Sequence, residues 1–342
     1  MATRVCLRIM VMLCALFAAL GSSGAVRSAA FAAVPSESHP ALVRIGLQIH
    51  NLAGIDEVKE RWEVTGTLIA SWRDRSLAYR PRNPRDRDHD IARPAWHPVL
   101  VFRNEVNQTR FSNSDTYALP DGTVMQTQDF AAVLSTDLDL RRFPFDSETL
   151  PVIVESGGED ADRVILQFDP RLSAVPKARY AEIAQWKITG MSGHPDTETL
   201  PGRSIRGIAF ALAIRRNSNP YVWKFIIPLI LLVIVSWVAF WLSPEEFTTK
   251  DQLSTAIATL LIIVAFNLVA SNQLPKTNYV TYIDAMLFVS FVFVIIAIGF
   301  IVAIHLHRRS QNRALWLRRL AGVALPLSFL VTQVLLVMAF SI

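Results

Sequence analysis

Cysteine is nearly missing from this 342-residue chain: there are two, Cys6 and Cys14. Both fall in an N-terminal stretch that reads as a removable leader, so the mature remainder has no disulfide, thiolate metal site or cysteine nucleophile. Histidine is sparse, and His39, His50, His89, His97, His194, His305 and His307 are scattered, with no metal-ligand spacing among them. Glycine-rich phosphate loops, nucleophile elbows and internal repeats are lacking as well. No catalytic residue, cofactor or metal is therefore expected. The formal net charge of +5 reads as an orientation signal, not as a nucleic-acid patch.

Charge is the second absence. The apolar runs Phe225–Leu242, Leu253–Ser271, Ala285–Ile304 and Leu320–Ile342 contain no Asp, Glu, Lys or Arg, and each is near the length that crosses a bilayer as a helix. A secondary transporter would want buried charges and paired inverted repeats in such spans, and neither is present. Residues 1–33 carry Arg4 and Arg8, the apolar core Ile9–Leu20 and the small-x-small triplet Ala30-Phe31-Ala32, the pattern of a signal peptide; a first membrane anchor is the alternative. The Leu306–Arg319 connection holds Arg308, Arg309, Arg313, Arg318 and Arg319, with Trp316 beside them, whereas Asn272–Asp284 holds only Lys276. The positive-inside rule places the arginine-rich side in the cytoplasm and residues 34–220 outside, as a signal peptide also requires.

The exported half reads as short alternating runs: Leu42–His50, Trp62–Trp72, Ala131–Leu134, Val152–Val154, Arg163–Phe168 and Gly207–Ile214. Asp121-Gly122 is a hairpin signal, and strands at this spacing predict an antiparallel sandwich or barrel. A short helix near Ser36–Leu42 is also compatible with the pattern. Three local features are sharper: Trp72-Arg73-Asp74-Arg75 at a strand end, the Trp96-His97-Pro98 turn, and Phe143-Pro144-Phe145-Asp146, where proline fixes a bend that projects two aromatic rings.

The second apolar run is not uniform. Ser254, Ala258, Leu261, Ala265 and Leu268 recur at steps of four and three, so they lie along one helical stripe. The stripe grades from a hydroxyl near Asp251, through small residues, to aliphatics. Two readings stay open: a helix lining a narrow aqueous path, or a bundle helix with small residues at a packing contact.

WRDRSL (72–77), the Trp96–Pro98 turn, LRRFPFDSETL (140–150), Pro228 in the first span and AFNLVASNQLPKTNYVTYIDAM (265–286) together resemble the pentameric ligand-gated ion channels of the Cys-loop superfamily, and among them the prokaryotic proton- or amine-gated members. The resemblance covers essentially the whole mature chain in the right order. It implies a membrane protein built as an extracellular antiparallel β-sandwich followed by a four-helix transmembrane bundle. The expected divisions are a signal peptide at 1–33, a periplasmic ligand-binding domain at 34–218 and a pore domain at 219–342. It further implies a homopentamer in the bacterial inner membrane, with lipid, permeant monovalent cations and an unidentified small ligand, divalent ion or protons as partners. The ion path would be lined by Asp251, Ser254, Ala258, Leu261, Ala265 and Leu268, with Leu261 and the aliphatics above it as an apolar gate. Asp251 would form a cation-attracting ring at the inner mouth; a helix N-terminal charge complementing the dipole is its alternative role. Lys250 departs from relatives that carry acid at that position.

Coupling residues carry over in the same way. Glu57, Asp146 and Arg216 match a carboxylate–arginine–carboxylate cluster at the domain junction. The Phe143, Pro144, Phe145 turn would press on the loop bearing Pro275, Lys276 and Tyr279. Thr136 and Leu150 stand where animal members have the paired cysteines. The hairpin around Met191–Ser204 has no aromatic residue, which disfavours an amine held by cation–π contact. Glu60 matches a proton-sensing glutamate, and Glu155 falls in a ligand loop. Ile263 stands where proton-gated members can carry histidine. The rival from another class is a membrane-anchored periplasmic sensor whose spans only pack together.

Overall fold

The computed structural model describes residues 40–81, 89–90, 96–158, 163–175, 182–183, 185–201, 203–238, 240–242, 248–271 and 277–341. The leader, the first part of the Ser36–Leu42 segment, Pro275 and Lys276 lie outside the described residues.

The N-terminal half forms two sheets. One, in spatial order β3-β5-β6-β2-β1-β8, is built from β1 (Ala41–Asp56), β2 (Arg61–Arg73), β3 (His89–Asp90), β5 (Arg110–Ala118), β6 (Thr123–Ser135) and β8 (Val164–Phe168). The other, β4-β7-β11-β10-β9, uses β4 (Leu100–Phe102), β7 (Ser147–Ser156), β9 (Glu182–Ile183), β10 (Trp186–Leu200) and β11 (Arg203–Arg216). Each expected run lies in a strand, save that β8 begins at Val164, one residue after Arg163; β1 is already extended at Ala41, so no helix forms over Ala41-Leu42.

Alternation decides which side chains face inward. Val43, Ile45, Leu47 and Ile49 of β1 are buried, with Ile45 opposite Ala70 and Leu47 opposite Leu68 on β2. A register shift between Ile49 and Asn51 changes the phase, so that Leu52 also points inward; a second follows between Leu52 and Gly54. From the second sheet Leu150, Val152, Val154, Ile208, Phe210, Leu212 and Ile214 close the core. Trp72 and Trp96, distant in sequence, meet there edge-to-face at 5.8 Å. Among the described strands β8 departs from antiparallel pairing: it runs parallel to β1, Ala41 facing Val164 and Ile45 facing Phe168. The predicted hairpin joins β5 to β6. Gly122 takes φ +82° and its N–H donates to the Leu119 carbonyl, a conformation glycine adopts without strain.

Four helices follow, each long and apolar enough to cross a membrane: α1 (Asn219–Val238), α2 (Thr249–Ser271), α3 (Tyr282–Leu306) and α4 (Gln311–Ser341). Within α1, Val222–Ile226 widens into a π-helical turn just before Pro228. Proline has no N–H to offer the preceding turn and its ring crowds a carbonyl there, which favours such a bulge. α4 starts nine residues before the apolar run Leu320–Ile342 because Gln, Arg, Ala and Leu in QNRALWLRRL are good helix formers. Arg313, Arg318 and Arg319 consequently sit on the helix, not in a loop. α2 and α3 open with capping boxes: Thr248 with Asp251, and Thr281 with Asp284. Trp237 of α1 and Phe293 of α3 both stack edge-on against Phe329 of α4, at 5.3 and 5.2 Å.

Candidate coupling junction and ion path

β11 ends on Arg216, three residues before α1 begins, so its side chain must lie where the sandwich meets the helices. Its backbone N–H donates to the Asp146 carbonyl, and its Nε donates to both carboxylate oxygens of Asp146, at 2.8 and 3.1 Å. Nη2 lies 2.7 Å from Glu57 Oε1, in the turn between β1 and β2. The Arg216 side chain is 0% exposed, and its guanidinium packs on Trp186 at 4.1 Å and Phe143 at 4.6 Å. Burial works against its charge, but the bonds and attraction from Asp146 and Glu57 outweigh that and raise its pKa. Glu57 is raised by burial, with Arg216 opposing.

A fourth charged group belongs to this cluster. β7 points its even-numbered residues Leu150, Val152 and Val154 into the core, and Glu148 shares that phase at the strand's start. Burial pushes its carboxyl up to about 7, with Asp146 and Asp139 adding repulsion against the pull of the Asp139 N–H and Arg216. The sequence reading missed Glu148, although strand alternation carries the signal.

The turn holding Phe143-Pro144-Phe145 splits its two rings. Phe143 is fully buried over Arg216, whereas Phe145 is half-exposed and meets Tyr282 at 5.7 Å. Only Phe145 projects. Tyr282 in turn contacts Phe340 near the end of α4 at 5.9 Å. Tyr279, in the segment leading into α3, accepts from the Leu140 N–H at 2.9 Å, donates to the Leu138 carbonyl at 3.3 Å, and lies under Arg141 at 5.5 Å. Thr136 and Leu150 at the neck of this loop are both buried.

On α2 the residues turned into the chain's own bundle are Gln252, Ala256, Thr259, Ile263 and Ala270. Asp251, Ser254, Ala258, Leu261, Ala265 and Leu268 are all exposed, on the opposite side of the helix. Leu261 and Leu268 are 64% and 69% exposed. A cavity of about 630 Å³ runs beside them between α2 and α3, walled by Val264, Leu287 and Phe288. Asp251 accepts from the Thr248 hydroxyl at 2.5 Å and from its N–H at 3.1 Å, so it caps the helix while its charge stays at the helix mouth. Lys250 is exposed beside it.

The candidate sensing residues lie apart from one another. Glu60 is exposed, holds φ +53° in the β1–β2 turn and borders a cavity of about 640 Å³ that also reaches Asn104, Thr136, Asp137 and His194. Glu155 is paired with Arg103 at 3.9 Å. Arg103 also bonds Asp196 and lies 3.2 Å from Glu198, the two alternating on one face of β10. Arg103, Asp196 and Glu198 were not singled out from sequence. This cluster sets one arginine among three carboxylates.

Comparison with known proteins bears on both halves. A family model described as the neurotransmitter-gated ion-channel ligand binding domain matches residues 30–218. A second, the neurotransmitter-gated ion-channel transmembrane region, matches residues 225–331. The chain is similar to a proton-gated ion channel of Gloeobacter violaceus, 30% identical over 311 residues, spanning 90% of this chain and 85% of that one. It is also similar to the gamma-aminobutyric acid receptor subunit beta-4 of Gallus gallus, 28% identical over 76% of this chain and 54% of that one. A beta-like subunit of Drosophila melanogaster matches at 28%, over 76% and 55%. The chain spans about half the length of these two receptor subunits. With a β-sandwich followed by four apolar helices, and with models of both halves matching in order, the chain belongs to the Cys-loop family of pentameric ligand-gated ion channels and is a multi-pass membrane protein.

Proposed function

We propose that five copies of this chain form a cation-selective channel in a bacterial inner membrane, with α2 lining the pore and the sandwich controlling its opening. The observation that carries the reading is the α2 stripe. Residues Asp251 to Leu268 of the stripe face away from the chain's own core, and the capping Thr248–Asp251 pair sets a carboxylate at one end. In a ring of subunits Leu261 and Leu268 narrow an apolar constriction from which water and ions are excluded. A ring of Asp251 carboxylates attracts cations at the inner mouth even while each caps its helix. Domain limits of 34–218 and 219–342, after a cleaved leader at 1–33, fit this reading. So does a signal that passes from the Phe143–Asp146 turn to Tyr279 and Tyr282.

Protons are the favoured stimulus. The Met191–Ser204 hairpin offers no aromatic residue for an amine, a relative matched over 85% of its length is a proton-gated channel, and burial raises the Glu148 carboxyl to about 7. Protonation opens the pore if the open junction holds the neutral Glu148 better than the closed one.

Current from purified protein in bilayers, as external pH steps from neutral to about 4, tests the reading directly. A reversible inward current is the expected result. Leu261→Ala weakens the apolar gate and is expected to leak at neutral pH. If that variant is present as a pentamer in the membrane and silent at every pH, the spans only pack and the protein is a sensor. Asp251→Asn is expected to move the reversal potential toward anions under a salt gradient; an unmoved potential removes Asp251 from the filter and leaves it a helix cap.

A further inference from the structure

In the six-stranded sheet, β1 and β5 flank the central β2–β6 pair, and a bulge on each aims a side chain at the same spot. On β1 the register with β2 slips between Ile49 and Asn51, which leaves His50 as the extra residue. On β5 the register with β6 slips between Ser112 and Ser114, which leaves Asn113 extra. Thr67 of β2 and Asp129 of β6 stand directly opposite each other between them. Both face away from the sandwich core, since their neighbours Leu68 and Phe130 are buried. The Thr67 hydroxyl donates to Asp129 Oδ1 at 2.6 Å and lies 3.2 Å from His50 Nε2. The Asn113 side-chain N–H donates to Asp129 Oδ2 at 3.2 Å. These hydrogen bonds, that from Thr67 foremost, hold the Asp129 carboxyl below the usual carboxylate range, and His50 adds to the effect.

A polar ladder on a wet sheet face does not account for this arrangement. Thr67 and Asp129 already satisfy each other as a cross-strand pair. Each bulge gives up ladder pairing at its extra residue. Asn113 is also held at φ +44°, and among the described non-glycine residues only it and Glu60 have positive φ, a conformation costly for any side chain. We propose that His50 and Asp129 bind a divalent transition-metal ion of the zinc and copper(II) kind, with the Asn113 carbonyl, the Thr67 hydroxyl and water completing its shell. An imidazole nitrogen suits zinc and copper, whereas calcium and magnesium take oxygen donors. His50 and Asn113 are exposed, and Thr67 and Asp129 half-buried, so an ion can enter from solvent and keep water ligands. Such an ion ties four strands together and stabilises the folded sheet according to its affinity. No sequence spacing announces the site, because its two strong ligands come from distant strands. It lies outside the junction and the ion path, and the binding chemistry does not depend on conduction.

The test is Cu2+ binding to the full-length protein in detergent, read by electron paramagnetic resonance, with Zn2+ as competitor. Wild type is expected to hold one ion per chain, with nitrogen splitting from a single imidazole, and Zn2+ should displace it. His50→Gln keeps a side chain able to bond Thr67, yet should weaken binding about 30-fold and erase the nitrogen splitting. Asp129→Asn should weaken it about ten-fold. Asn113→Gly, which keeps the left-handed backbone without strain, should cost about three-fold. His194→Gln, at an exposed histidine on β10 of the other sheet, should leave binding intact. Zn2+ should also raise the melting temperature of wild type and not that of His50→Gln. Wild-type affinity in His50→Gln overturns the site. Equal losses from His50→Gln and His194→Gln mean adventitious binding only, spread over exposed imidazoles, and overturn it as well. Should His50→Gln fail to fold, the wild-type spectrum decides alone: no nitrogen splitting, or splitting from several imidazoles, refutes the assignment. A silent pentamer that binds the ion supports the site and refutes only the channel reading; a conducting one that does not bind it refutes the metal site alone.

Discussion

Arg216 and Leu261 stand at opposite extremes of one chain. Arg216 is wholly enclosed by groups of its own subunit: Asp146, Glu57, Trp186 and Phe143 leave its side chain no exposed surface. Leu261 is a large aliphatic residue left 64% exposed, on a helix face that nothing in the subunit covers. The junction is thus complete within one polypeptide, whereas in the proposed pentamer the α2 face is finished by neighbouring copies. A charge cluster that must hold two domains in register is best supplied in cis, where its partners are covalently close. A hydrophobic constriction has the reverse requirement, because its apolar atoms must meet across an axis that no single chain contains. Changes at the junction should therefore act on folding before they act on conduction, and changes on the stripe should do the opposite.

The largest expected effect breaks the junction. Arg216→Ala strands Asp146, which is buried, and the half-buried Glu57 without their counter-charge. Loss of one partner from a buried ion pair costs about 3–5 kcal/mol, a large fraction of a domain's stability. Little assembled pentamer should survive size-exclusion chromatography, and what remains should melt well below wild type. Adding Asp146→Asn and Glu57→Gln should recover part of the loss, because the stranded charges are then gone. If Arg216→Ala folds like wild type and only its currents change, the cluster is not what holds the domains together.

A smaller effect concerns acid. Glu148 has its carboxyl raised from 4.5 to about 7 in the folded protein. The folded state then binds its proton more tightly than the unfolded state does. The contribution to stability is fully present below about pH 4.5 and is lost as pH rises toward 7. Glu148→Gln removes that dependence. Thermal unfolding followed from pH 4.5 to 7 should flatten relative to wild type, and activation by acid should lose its component in the same window. A wild-type pH profile in the variant would transfer sensing to Glu57, Glu60 or the Arg103 cluster.

What could be read without coordinates follows how local each signal is. Alternation in β1, β2 and β11 and the charge-free runs of α1 to α4 are properties of neighbouring residues, so strands and spans were legible. The stripe on α2 was legible for the same reason. Parallel pairing of β8 with β1 was not, since Ala41 and Val164 share no local pattern that states their direction. Glu57, Asp146 and Arg216 are scattered along the chain, and only the family motifs brought them together. Glu148 was legible in principle: it lies two residues after Asp146 and in phase with Leu150. Its burial, however, depends on how the sandwich closes over the start of β7, which no local pattern states. Arg103, Asp196 and Glu198 depend on how β4, β7 and β10 are ordered across a sheet, which sequence spacing does not encode.

The smallest effect separates holding the domains together from communicating between them. Tyr279 touches the sandwich through one hydroxyl, bonded to Leu140 and Leu138, and through a ring beneath Arg141. Tyr279→Phe deletes the hydroxyl and keeps the ring. Both bonds are part-buried and join uncharged groups, so the net cost should be about 1 kcal/mol per subunit, too little to disturb assembly. The same amount is ample for gating, where about 1.4 kcal/mol changes an equilibrium tenfold. The pH of half-activation should therefore move while melting temperature and reversal potential stay as in wild type. Phe145→Ala, which removes the separate contact with Tyr282, should shift the midpoint independently, and the two changes should add within about 0.5 kcal/mol. Strong non-additivity would mean that the Tyr279 and Tyr282 contacts move as one unit. A fall in pentamer stability comparable to Arg216→Ala would place Tyr279 among the residues that hold the domains together and erase the distinction between clamp and relay.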